Sequence, residues 1–208
     1  MHCVVIEPRR SLLNVIALPI LALALTSCAP IPYQIDERLP FTIVQSLKSR
    51  YGSKPAISIT VDEQSKVLKV IKAEHDPLRK VLGDRIGFSF PIGATFSAYL
   101  QQAQQVADLY PATERARPFT ATIESVDLYY SVNTPRSTQP YIDWVSLTLA
   151  ITTTEGGKVI RRITLNREIS LKGVEITYAF DRALRITLGE MVLDYLDDVI
   201  KQTEKSGR

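Results

Sequence analysis

YIDWVSLTLAITTTEGGKVIRRITLNREISL, residues 141–171, decides the fold. Trp144, Ser146, Thr148 and Ala150 alternate with Val145, Leu147, Leu149 and Ile151, the period-two pattern of a strand with one buried face. Glu155-Gly156-Gly157 breaks that pattern with residues suited to a tight hairpin, and a second β segment runs from Lys158 to Leu171. Upstream lies FTATIESVDLYYSV, residues 119–132, joined to the first segment by the polar loop NTPRSTQP, residues 133–140. Three sequential strands with polar connections predict an antiparallel meander.

Two amphipathic helices flank it. Phe96, Tyr99, Leu100, Ala103, Val106, Ala107 and Tyr110 recur at spacings of three and four, with Thr95 placed as an N-cap and Pro111 as a stop. From about Phe180 to Gln202, Leu184, Leu188, Met191, Val192, Tyr195, Leu196, Val199 and Ile200 form a second apolar face. Earlier in the chain, residues 56–61 and 67–71 alternate around the polar DEQSK, residues 62–66, which predicts a hairpin. Residues 85–90 read as a short strand, and residues 41–51 fit a helix or a strand equally. The expectation is an α+β domain, an antiparallel or mixed sheet of about 5–6 strands with two helices packed on one face. The opposite face would be partly wet or covered by a partner.

The start of the chain carries a different message. Arg9 and Arg10 precede an apolar run from Leu12 to Leu25, which ends in Leu25-Thr26-Ser27-Cys28. A basic flank, a short apolar stretch and small residues before a cut are the parts of a secretory signal. The run holds 14 residues and Pro19, short for a bilayer span. The ending resembles the lipobox of bacterial lipoproteins, a leucine, a small residue, Gly/Ala/Ser and then Cys. That resemblance implies a diacylglyceryl thioether on Cys28, cleavage before it, and anchorage by more than one acyl chain. Ala29 follows, where Asp would favour the inner membrane in proteobacterial lipoproteins, so the implied address is the periplasmic face of the outer membrane. The expected division is a leader over 1–27, lipidated Cys28 and a tether over 28–55, a single α+β domain over 56–202, and a frayed polar tail over 203–208. Pro30 and Pro32 favour extended chain in the tether, with a first edge strand as the alternative.

Composition narrows the function. A formal net charge of +3 over 208 residues makes no electrostatic case for nucleic acid. Beyond Cys28 the chain holds no cysteine and one histidine, His75, so neither a disulfide nor a Cys/His metal cluster is expected. His75 lies between Glu74 and Asp76 in a charged loop and reads as a solvated histidine, with a hydrolase centre as a lesser reading. Asp194 and Asp198 share a helix face and read as solvated acids rather than a cation site. Arg161, Arg162 and Arg167 read as outward charges that keep a sheet soluble. Pro91-Ile92-Gly93 reads as a tight turn into a helix rather than an anion cradle.

Tyr129, Tyr130, Tyr141 and Trp144 flank the 133–140 loop and are the candidate partner contacts. Adjacent Tyr129 and Tyr130 must face opposite sides of a strand, so one of them leaves the core. The order of elements resembles small α/β envelope lipoproteins of Gram-negative bacteria, such as the YajG-like and LptE-like lipoproteins. Likeness of fold carries no activity by itself. The resulting expectation is a non-enzymatic accessory or assembly subunit of a cell-envelope complex, without a cofactor other than the lipid on Cys28. It would be held to the membrane by that lipid and bound to protein partners in the envelope. A periplasmic module for an amphipathic or glycan ligand, using a cleft between sheet and helices, is the alternative.

Overall fold

The structure is a computed structural model and describes residues 31–51, 56–71, 88–107, 109, 116–133 and 141–206. In chain order these residues form β1 (Ile31–Pro32), α1 (Phe41–Arg50), β2 (Ile57–Val61), α2 (Glu63–Lys66), β3 (Val70–Ile71) and β4 (Phe88–Phe90). There follow α3 (Ile92–Val106), β5 (Arg117–Asn133), β6 (Tyr141–Glu155), β7 (Lys158–Glu175) and α4 (Ile176–Ser206).

The α+β class holds, and so does the meander. β5, β6 and β7 pair antiparallel, and the β6–β7 turn places Gly156 and Gly157 at φ 56° and 81°, a left-handed pair that matches a twisted hairpin. Val145, Leu147, Leu149 and Ile151 are all buried. Facing them, Leu184, Leu188, Val192 and Leu196 of α4 are fully buried, because their spacing puts them on one stripe. α3 packs against β2 and α4, and α1 lies over α3 and α4.

β5 changes phase partway along. Phe119, Ala121 and Ile123 point to the core, then a bulge between Ile123 and Ser125 inserts Glu124. Leu128 and Tyr130 therefore point inward, and Asp127 and Tyr129 outward.

Several sequence expectations are corrected. Residues 56–71 make no hairpin. β2 instead joins β5 in parallel, giving a four-stranded mixed sheet in the order β2-β5-β6-β7, while β3 joins β1 and β4 in a small three-stranded sheet. The DEQSK stretch is strong in helix formers, and Glu63–Lys66 coil into one turn. The Ser65 hydroxyl of that turn accepts the Ile123 N–H at 2.7 Å, tying it to the β5 bulge. Thr95 is not the N-cap of α3. The helix begins at Ile92 after Pro91, whose fixed φ suits a helix entry, and the Thr95 hydroxyl donates back to the Pro91 carbonyl at 3.0 Å. α4 runs to Ser206 with Thr203 buried, so the tail expected to fray from residue 203 is helical through most of its length.

The tether assignment also changes. From Ile31 the chain is part of the body: β1 pairs with β4, and Ile35, Leu39, Ile43, Leu47 and Tyr51 are buried. Their apolar side chains outweigh the local extended preference of the prolines. Residues 41–51, ambiguous in sequence, are helical up to Arg50.

Candidate functional site

One face of the four-stranded sheet is covered by helices, and no described element covers the other. Register places Tyr129 beside Ser146 and Glu168, Asp127 beside Thr148 and Asn166, and Ser125 beside Ala150 and Thr164. Thr164, Asn166 and Glu168 are exposed, and Tyr129 is 56 % exposed. Trp144 is half-buried on the same face, opposite Ser131 and Ser170. The result is a broad surface of short polar side chains with two aromatic residues at one end.

The four expected contact residues therefore separate. Tyr129 and Trp144 belong to the open face. Tyr130 is 5 % exposed and lies inside, its ring 6.4 Å from Phe90, so it is no surface contact. The backbone of Tyr141 pairs with Asn133 and Glu175, and its side chain lies outside the described residues, as do Cys28, His75 and the loop 134–140. Among the described residues, the centre of the sheet–helix interface is closed. Leu147, Leu149, Leu188 and Val192 fill it without solvent exposure.

The acids of α4 are engaged rather than solvated. The Arg161 guanidinium reaches Asp198 through two hydrogen bonds of 2.9 Å, Arg167 donates to Asp194, and Arg50 meets Asp197 at 3.2 Å. Asp198 holds the Arg161 guanidinium above its ordinary pKa. Tyr51 also donates to Asp197, and burial first, then that carboxylate, pushes its phenol up. Arg161 and Arg167 thus face the helix. Arg162 faces outward, as expected of all three. Among the described residues no group of His, Cys, Asp or Glu is placed to hold a metal ion.

Hollows occur on either side of α1, against α4. One, of about 340 Å³, is lined by Pro40, Phe41, Thr42, Asp181, Arg182, Arg185 and Ile186. Phe41 stands 72 % exposed at its rim. Arg185 pairs with Asp36 at 3.2 Å and donates to the Arg38 carbonyl at 3.2 Å, while the Tyr99 hydroxyl donates to the Asp36 carbonyl at 2.7 Å. Burial is the main cause that raises the Tyr99 phenol to about 12 and lifts the Asp181 carboxyl above its usual range. Asp181 Oδ1 and Arg185 Nε are buried without a hydrogen-bond partner among the described residues. The second hollow, about 320 Å³, lies between Thr42, Ile43, Ser46 and Arg50 on one side and Arg167, Glu190, Leu193 and Asp194 on the other. Both hollows combine charge with apolar wall. Sequence reasoning missed the first of them. Asp181, Arg182 and Arg185 within one helical turn were the signal, but their convergence with residues 36–41 depends on the fold.

No protein-family model matches the chain, and no curated protein matches it. Among solved structures, it is similar to a minor lipoprotein from Acinetobacter baumannii, at 11 % identity and a TM-score of 0.38, over 52 % of this chain and 84 % of that one. It is also similar to a DUF330-family protein from Xanthomonas campestris, at 9 % identity and a TM-score of 0.45, over 85 % of this chain and 98 % of that one. At these scores each is a partial likeness of chain path. Among the described residues no helix is long and apolar enough to cross a membrane.

Proposed function

We infer that the chain is an envelope lipoprotein, anchored through Cys28 at the periplasmic face of the outer membrane. It serves as a non-enzymatic accessory or assembly subunit of a cell-envelope complex concerned with transport, secretion or envelope biogenesis. The observation that carries the reading is the one-sided sheet. A meander whose strands run 15 to 18 residues has one face that no described element covers, with Tyr129 and Trp144 at one end of it. The exposed Tyr129 and the half-buried Trp144 beside short polar side chains suit a protein partner. Leu25-Thr26-Ser27-Cys28, followed by Ala29, supports the anchor and the address.

Two experiments test it. Palmitate labelling of cells should mark the wild type and not Cys28→Ala, and equal labelling of both removes the anchor from the account. A photo-crosslinking residue at Thr164, on the open face, should capture a specific envelope protein. The same residue at Glu204, on the last turns of α4, should not. Identical capture from both positions, or none from Thr164, overturns the subunit reading.

A ligand-binding reading is favoured only by the hollows beside α1. Their walls would suit an amphipathic molecule carrying charge.

A further inference from the structure

The anchor and the body are closer than the prolines suggest. Ile31 is already paired with Phe88, and only Ala29 and Pro30 lie between it and Cys28. The three Cα-to-Cα steps reach at most about 11 Å, little more than the interfacial layer of one leaflet, roughly 5–8 Å deep. If Cys28 carries lipid, the end of the domain near β1 must rest on the membrane surface.

The structure identifies what that end displays. The Tyr33 ring lies 5.1 Å from Phe90, and Phe90 lies 6.4 Å from Tyr130 near the loop end of the meander. There Asn133, Tyr141 and Glu175 come together and α4 begins. Tyr33 also feels the charge of Asp181, which lines the same hollow as Phe41. Phe41 is among the most exposed large apolar side chains described. Arg38 and Arg182 are exposed, and neither side chain makes an ion pair among the described residues. Asp36 is engaged by Arg185, and Glu37 offsets part of the positive charge. The opposite end of the sheet, at Lys158 and the Gly156-Gly157 turn, is roughly 50 Å away along β7.

We propose that this end of the domain is a membrane-contact patch, in which the Phe41 ring enters the headgroup layer of an anionic bilayer while Arg38 and Arg182 meet its phosphates. The inference rests on anchorage through Cys28 and adds an orientation to it. An aromatic ring gains from leaving water at the interface, and guanidinium groups pair well with phosphate. A short leash favours such contact because it keeps the local concentration of lipid high.

The test uses the acylated protein, cut before Cys28 so that Cys3 has left with the leader, in vesicles of phosphatidylethanolamine and phosphatidylglycerol. Phe41→Cys, Arg182→Cys and Lys158→Cys are each labelled with an environment-sensitive fluorophore, the Cys28 thiol being consumed by its lipid. Nitroxide on the lipid headgroups should quench the labels at 41 and 182 severalfold more strongly than the label at 158. Equal quenching at all three, or the strongest at 158, overturns the patch while leaving the anchor intact. Protein that carries no acyl chain and fails to float with the vesicles overturns the anchorage beneath it, a result read separately by mass spectrometry.

Discussion

Gln104 is a fully buried side chain that behaves as a piece of backbone. Its Oε1 accepts the Ile59 N–H at 2.7 Å, and its Nε2 donates to the Ile59 carbonyl at 3.0 Å and to the Leu100 carbonyl at 3.3 Å. Ile59 lies in β2, the outer strand of the sheet, so the amide stands where a neighbouring strand would. Gln104→Met keeps length and helix propensity but removes both partners of Ile59. Two buried backbone groups left unpaired cost about 1–3 kcal/mol each, so the substitution should cost about 2–6 kcal/mol, a large part of the 5–15 kcal/mol that holds a typical domain. Urea unfolding followed by Trp144 fluorescence should show a midpoint lower by roughly 1–3 M if the slope is near 2 kcal/mol/M. Gln105→Met, one residue on and exposed, should stay within about 0.5 kcal/mol. Gln104→Glu separates donor from acceptor. Its carboxylate can still take the Ile59 N–H but cannot donate to the carbonyl. Burial would raise the carboxyl's folded pKa above its unfolded one, so the loss is full above the folded value and shrinks as pH falls. Gln104→Met as stable as Gln105→Met would refute the reasoning outright.

Other outcomes follow from single contacts. A Cβ at Gly93 would sit 1.8 Å from the Ser65 carbonyl oxygen, a backbone atom, so Gly93→Ala should lose at least about 1–3 kcal/mol, seen as a lower Tm. At Gly189 a Cβ would meet Ile43 Cγ1 at 2.7 Å; Gly189→Ala should destabilise the native chain yet gain up to about 1 kcal/mol in an Ile43→Ala background, and a double-mutant cycle with no coupling would dismiss the contact. Burial raises the Asp181 carboxyl, so its contribution is most favourable below the unfolded value of about 3.9 and is lost as pH climbs through the folded one. Asp181→Asn should therefore gain on the wild type between about pH 3.5 and pH 7 in paired urea titrations, and a pH-independent difference would contradict the burial argument.

What sequence made legible was local. The β6–β7 hairpin could be read because its alternation and its glycines lie within one window, and α4 because its apolar stripe repeats without a break. What it hid was choice of partner. Ile57, Ile59 and Val61 alternate as a strand should, but nothing in them tells a hairpin with residues 67–71 from a parallel pairing with residues 117–121. The tether was misread for a related reason. Pro30 and Pro32 are local signals, whereas the burial of Ile35 and Leu39 depends on helices far along the chain. At the candidate surface, the rule that Tyr129 and Tyr130 diverge was available from the start, but which of them leaves the core was set by the bulge. Arg161 and Arg167 were separately visible from Asp194 and Asp198, and only the return of α4 along β7 made them pairs.

Glu124 has a meaning beyond its own position. As a supernumerary residue it sets the reading frame of everything after it in β5, so that odd numbers point inward before it and even numbers after. Pressed into regular pairing opposite Ala150, it would push every later residue on by one place and exchange the roles of Leu128 and Tyr130 with those of Asp127 and Tyr129, drawing a carboxylate into the oily interior and expelling leucine into water. Removing Glu124 would leave Ser125 opposite Ala150 and every later face as it is, so the bulge is what lets β5 carry one residue more than its partner.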